Sequence, residues 1–294
     1  MKSYALLCMM LLIAACRQPS MPVEGLQPMQ REGSRATRQE LSNQKVTALA
    51  EDALGHIWIG TFHGLNRYDS HEYHQYFYND SDSASLPDNQ IQDILRDSKG
   101  QMWIATVSGL CRYTDQDCFR RVDIEGPNHN AVQLLETPNG RILVNFVVHL
   151  GAYNPQTNRV ELVYPLFDPD DTHYGRCYID REGNLWDAKP YSLRRYDTDA
   201  LRLQDSIPTP FRVECSYMDA EGRIWMGGLQ ALACYDTRTR RFATLPPALQ
   251  PQRLPAGETI SLLHSYGPAG SLLMGTDQHD ILYYYHAIEG TLSA

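Results

Sequence analysis

Side chains able to recognise a ligand recur at one position of a repeated pattern, the third residue after Gly60 and its counterparts: His63, Ser108, Val148, Tyr191, Gln230 and Gln278. Hydrogen-bonding and aromatic groups at such a position suit a sugar, whose hydroxyls need polar partners and whose apolar faces need a ring. His149, which stands where other copies have the turn glycines Gly64 and Gly109, is a further candidate. The ligand-binding set expected from sequence is therefore His63, Ser108, His149, Tyr191 and Gln230; the competing reading is that these are exposed turn residues. Catalytic chemistry finds less support. The chain has no Gly-x-Ser-x-Gly, no His-Glu-x-x-His and no phosphate-binding glycine loop. Asp168-Pro169-Asp170-Asp171 and Asn79-Asp80-Ser81-Asp82 cluster oxygen ligands but lack the spacing of a calcium loop, and they read as solvated connections. No catalytic residue, metal or cofactor is expected.

The elements that would hold these side chains are set by a cassette, Asp-x-x-Gly-x-(Ile/Met/Leu)-Trp-(Ile/Met)-(Gly/Ala), followed shortly by Leu-x-x-Tyr. The clearest copy runs from Glu51 to Asp69, and a second from Asp97 to Tyr113 aligns with it without a gap. Turn glycines at Gly55, Gly100, Gly140, Gly183, Gly222 and Gly270 give a period of roughly 43 residues, the spacing of a propeller blade. Within the first copy, strands are expected at 46–51, 56–61, 65–68 and 73–78, with Asp52 and Gly55 bounding a tight turn. Four short antiparallel strands per period predict an all-β fold, a β-propeller of about six four-stranded blades, or an incomplete seven-bladed ring. No segment has the apolar spacing of an amphipathic helix.

Trp58, Trp103, Trp186 and Trp225 share one position of the pattern, and Tyr68, Tyr113, Tyr153, Tyr196 and Tyr235 share another. Both ladders are expected in the core between blades, since burying one such ring removes on the order of 150–250 Å2 from water. The sixth copy is weak and ends soon after Tyr285. Part of 23–41 is expected to supply the outer strand of the last blade and close the ring.

Residues 1–16 read as a lipoprotein signal: Lys2, a 12-residue apolar run too short to span a bilayer, and Ile13-Ala14-Ala15-Cys16, in which Cys16 becomes the lipidated first residue. Residues 17–40 read as a polar tether and 41–294 as the propeller. A lipid on Cys16 would make the chain a membrane-anchored, periplasm-facing protein with no crossing helix. Of the seven cysteines, Cys111, Cys118, Cys177, Cys215 and Cys234 remain after the signal and anchor, an odd set without zinc spacing, expected to pack as small residues. Thirty-five acidic against 26 basic residues, a formal charge of -9, argue against nucleic acid as a partner.

The run from Leu49 to Asp69, with the approach Leu41–Val46 and the link Ser85–Ile91, closely resembles the two-component regulator propeller repeat. The resemblance spans about residues 41–288 and is most specific in the first two copies. That repeat builds the periplasmic sensor region of hybrid two-component systems in gut Bacteroidetes. The resemblance implies an oligosaccharide-sensing module. Full-length members also carry a second propeller, an immunoglobulin-like domain, a transmembrane helix, a histidine kinase and a response regulator. These 294 residues hold no kinase, so the expectation is a truncated or stand-alone sensor without catalytic activity, binding an oligosaccharide or a protein partner. Two other classes stay open: a propeller-type polysaccharide lyase or hydrolase, and a membrane-tethered scaffold for protein partners.

Overall fold

The turn in each cassette closes on itself. In a computed structural model of the chain, Asp52, Asp97, Asp180 and Asp219 each accept backbone N–H bonds on Oδ1 from the residues two and four positions ahead, at 2.8–3.1 Å. Their second oxygen, Oδ2, takes the indole N–H of the tryptophan six positions ahead: Trp58 and Trp103 at 2.9 Å, Trp186 at 2.7 Å and Trp225 at 2.8 Å. The turn glycines lie in the left-handed region, Gly100 at φ 84°, where a side chain would be strained. The structure describes residues 35–294 apart from residues 115, 147–148, 166–175, 200–201 and 279–281. The expected signal and Cys16, most of the tether, Val148 and Asp168–Asp171 lie outside the described residues.

These turns join the first two strands in the first, second, fourth and fifth of six successive antiparallel groups, the second and third of which share one eight-stranded sheet. The first blade comprises Val46–Glu51, Ile57–Thr61, Leu65–Tyr68 and Tyr73–Tyr76. The second has Ile91–Arg96, Met102–Thr106, Gly109–Thr114 and Cys118–Ile124. The third has Gln133–Glu136, Ile142–Asn145, His149–Asn154 and Arg159–Pro165. In the fourth are Cys177–Ile179, Leu185–Ala188, Ser192–Tyr196 and Leu203–Pro208. The fifth contains Cys215–Met218, Arg223–Gly228, Ala231–Asp236 and Arg241–Phe242. The sixth contains Ile260–Ser265, Leu272–Thr276, Leu282–His286 and Thr291–Ser293. The fourth strand of the third blade also pairs, in parallel, with that of the second through Arg159–Asp123 and Val160–Ile124. The fold is an all-β propeller, as the period predicts.

Apolar clusters join each blade to the next, from first to second through fifth to sixth. In three of these interfaces a tryptophan meets the tyrosine of the following blade: Trp58 with Tyr113 at 4.7 Å between centroids, Trp103 with Tyr153 at 4.8 Å, and Trp186 with Tyr235 at 5.5 Å. Where Leu143 replaces tryptophan, Tyr196 packs in the same cluster. The residue two beyond the tryptophan is small because the neighbouring blade enters there. A Cβ on Gly60 would lie 2.6 Å from Ile91, and one on Gly227 2.7 Å from Ile260.

Two expectations need correction. Tyr68 is not in a core between blades: it is half-buried against Tyr73 of its own blade, 4.8 Å away, because no described blade precedes the first. The outer strand expected from 23–41 for the last blade comes instead from Thr291–Ser293. Arg35–Arg38 pairs antiparallel with Tyr73–Tyr76, adding a fifth strand to the first blade. Among the described residues no apolar cluster joins the sixth blade to the first, and Leu49 (65%) and Leu282 (54%) on those blades remain exposed.

Candidate functional site

Four of the five ligand-binding residues expected from sequence, His63, Ser108, Tyr191 and Gln230, occupy equivalent positions between the second and third strands of their blades, and His149 opens the third strand of the third blade. Among the described residues, no hydrogen bond or ring contact joins any two of them. His63 is exposed and lies 5.7 Å from the Phe77 ring. The Ser108 hydroxyl donates to Asp88 at 2.6 Å. His149 is half-buried and its carbonyl accepts from Phe146 N–H. Tyr191 is 67% exposed. Gln230, at φ 45°, donates to the Pro251 carbonyl and accepts from Gly257 N–H, so its amide serves a local turn. Clustered oxygens at Asn79–Asp82 are likewise used in the loop's own turn, Asn79 accepting from Ser81 N–H and Asp82 from Ala84 N–H.

A concave site lies elsewhere, among the first strands of the fourth, fifth and sixth blades. It is a groove of about 530 Å3 lined by Arg176, Tyr178, Glu214, Ser216, Tyr217 and His264 together with aliphatic side chains. Register explains its character. The residues opposite the tryptophan position on the first strands are Ala50, Leu95 and Leu135 in the first three blades, and Tyr178, Tyr217 and His264 in the last three. One level along the strands, Asp93 and Gln133 lie opposite the small residues Ala105 and Asn145, and the Arg176 carbonyl takes the Ala188 N–H. At the tryptophan level, aromatic side chains thus replace aliphatic ones in the last three blades only.

These side chains are braced by neighbouring blades. The Tyr178 and Ser216 hydroxyls are 2.9 Å apart, and those of Tyr217 and Ser265 are 2.8 Å apart. The Tyr217 and His264 rings lie 4.7 Å apart with a 30° tilt, and His264 Nδ1 is 2.8 Å from its neighbour's carbonyl. Burial pushes the Tyr178 hydroxyl well above the ordinary phenol range. Glu214 is paired with Arg212. Each Asp93 oxygen takes a backbone N–H, from Ile94 at 2.9 Å and Leu134 at 2.8 Å; burial nevertheless raises its carboxyl pKa, with Arg176 as an opposing charge. Burial pushes the Cys215 thiol, also on this wall, up to about 12, so it is a protonated packing group at neutral pH. Glu214 is the single carboxylate among the described lining residues, so the groove lacks the pair that glycoside hydrolysis by two carboxylates requires.

Of the remaining cysteines, Cys111, Cys177 and Cys234 pack as expected, whereas Cys118 is half-buried and its Sγ accepts from the Arg35 guanidinium at 3.0 Å. All five described ones are free; Cys111, Cys177 and Cys234 are buried, and burial raises Cys234 to about 12. Asp69, Glu72 and His74 bring potential ligand atoms within 4.8 Å of one another. There, Asp69 accepts N–H bonds from His71 and Glu72 and sits 3.0 Å from His74 Nε2, an arrangement that closes the turn. The aromatic column lies upstream of the turn glycine, outside the cassette that marks each repeat in the sequence. Its signal was present eight residues before the tryptophans, where Tyr178 and Tyr217 replace Ala50 and Leu95.

The sequence profile of the two-component regulator propeller matches residues 40–63 and 85–108. No curated protein sequence matches this chain. Among solved structures, the extracellular domain of a putative hybrid two-component system from B. thetaiotaomicron superposes with a TM-score of 0.65 at 19% identity, covering 85% of this chain and 35% of that one. The present chain therefore spans about a third of that structure's length. Virginiamycin B lyase from Staphylococcus aureus superposes with a TM-score of 0.63 at 13% identity, covering 88% of this chain and 87% of the other. At such identities the likeness is one of fold, and that fold is common to the extracellular domain of a putative hybrid two-component system and to a lyase. Among the described residues no helix is long and apolar enough to cross a membrane.

Proposed function

We propose that this repeat protein is a non-catalytic ligand-binding propeller of the sensor type, facing the periplasm from a lipid anchor at Cys16 and capturing oligosaccharides. The observation that carries the reading is the column Tyr178, Tyr217 and His264 along one groove, on a chain that the two-component regulator propeller profile matches at residues 40–63 and 85–108. Rings with hydroxyl and imidazole edges offer a pyranose both an apolar face and hydrogen bonds. Cross-blade bonds hold Tyr178 and Tyr217 in place, so little side-chain freedom is lost on binding. Transmission would pass to another chain or to a part of the protein beyond these 294 residues, which hold no kinase sequence.

The test is a thermal-shift and turnover panel of plant and host oligosaccharides. A bound ligand at a hundredfold excess over its Kd stabilises the fold by about 2.7 kcal/mol, a shift of several degrees. A shift without product supports the proposal. Product formation transfers the chain to the lyase or hydrolase class. Absence of both, with a stable protein partner recovered, makes it a scaffold.

A further inference from the structure

We infer that the groove between the fourth, fifth and sixth blades binds an anionic saccharide, with Arg176 holding its carboxylate or sulfate and Tyr217 and His264 forming the wall against its pyranose ring. This rests on the saccharide-binding reading above and adds the site and the charge class. Arg176 lines the groove, is exposed, and forms no ion pair within 4.0 Å with any described carboxylate. Among the described residues, the two carboxylates near it are otherwise engaged. Glu214 is paired with Arg212, and both oxygens of Asp93 accept backbone N–H bonds. Burial also disfavours the Asp93 anion, which weakens its competition for the guanidinium. Among the described residues, one cation is therefore left over in a concave site whose other walls are rings, hydroxyls, a thiol, aliphatic carbon and the Arg212-paired Glu214.

A guanidinium suits a carboxylate or sulfate because its planar fork donates two parallel N–H bonds. The formal charge of -9 on the chain does not oppose this at contact range, since exposed charges farther away than about 8 Å are screened at physiological salt. Ring stacking is indifferent to charge. Tyr217 and His264 are thus expected to set affinity for any fitting pyranose, and Arg176 to set the preference for an acidic one.

Isothermal titration of the full chain with tetragalacturonate, a sulfated chondroitin tetrasaccharide and neutral cellotetraose separates these roles. At least one acidic probe should bind ten times more tightly than cellotetraose, and Arg176→Gln should weaken that probe by about ten- to hundredfold while leaving cellotetraose unchanged. His264→Ala, at an exposed position, should weaken acidic and neutral probes alike. Acidic probes that bind no better than cellotetraose, or that bind Arg176→Gln as well as the parent, overturn the anionic assignment and leave saccharide binding standing. Absence of binding by all three removes the saccharide reading and this inference together. Circular dichroism and melting of both variants confirm that they remain folded.

Discussion

The Trp103 indole nitrogen donates to Asp97 Oδ2 at 2.9 Å, and Asp97 Oδ1 holds the N–H groups of Lys99 and Gln101. One carboxylate thereby fixes both the turn and the rotamer of the ring that packs on Tyr153 of the next blade. The two residues change together along the chain. In the third blade Thr137 and Leu143 stand in their places, and in the sixth Gly267 and Leu273.

That covariation predicts energetic coupling. Asp97→Ala should cost about 2–3 kcal/mol, since it strands a buried indole N–H and two turn amides. Asp97→Thr combined with Trp103→Leu should cost less than the sum of the single changes by about 1 kcal/mol or more. Urea unfolding of the four-member cycle measures the coupling, and strict additivity would contradict the assignment.

Asp117 predicts an acid-side pH dependence. Burial pushes its carboxyl up, yet the hydroxyls of Tyr76 at 2.6 Å and Tyr113 at 2.7 Å, with the charge of Arg67, outweigh this and hold it below the ordinary 3.8. A folded pKa below the unfolded one means stability fully present above the ordinary value and lost as pH falls through the folded value. Melting temperature should therefore drop as the solution is acidified below about pH 4. Asp117→Asn should melt lower at neutral pH and show a shallower acid decline; Asp52, Asp69 and Asp236, also held low, account for slope that remains.

The fourth blade contains a buried ion pair, Lys189 Nζ to Asp187 Oδ2 at 3.5 Å, with side chains only 5% and 1% exposed. Ile59, Ile104, Val144, Met226 and Met274 occupy the Asp187 position in the other blades. Lys189→Met should destabilise by about 3–5 kcal/mol, as removal of one partner from a buried pair does. Asp187→Met combined with Lys189→Met should recover at least half of that loss in thermal unfolding. A double variant no better than the single one would mean that the remaining interactions of Asp187, rather than its charge, dominate.

Gly228→Ala tests how the groove wall is held. A Cβ there would fall 2.5 Å from the Arg212 carbonyl and 2.7 Å from the Phe211 ring, beside Val213 and Glu214 of the groove. Because the closest atom is backbone, the strand must shift. The expected cost is about 1–3 kcal/mol. Probe binding in the groove should weaken more than in a control, Gly257→Ala, where nothing lies within 4 Å although its φ of 72° carries its own strain. Equal binding by both would separate the wall from the site.

What could be read from the sequence alone was local. The turn bonds of Asp52, Asp97, Asp180 and Asp219 reach at most six residues, so the cassette, its strands and the propeller class follow from spacing. The ladder of Trp58, Trp103, Trp186 and Trp225 was likewise legible as core, because its period matches one blade. Tertiary structure decided what each repeat meets. Tyr68 and Tyr113 share one motif, yet Tyr113 packs on Trp58 while Tyr68 stacks on its own blade, since packing depends on which sheet comes before. The groove was decided in the same way. Tyr178, Tyr217 and His264 lie some 40 residues apart along the chain, and only strand register, propagated across three blades, sets them along one wall.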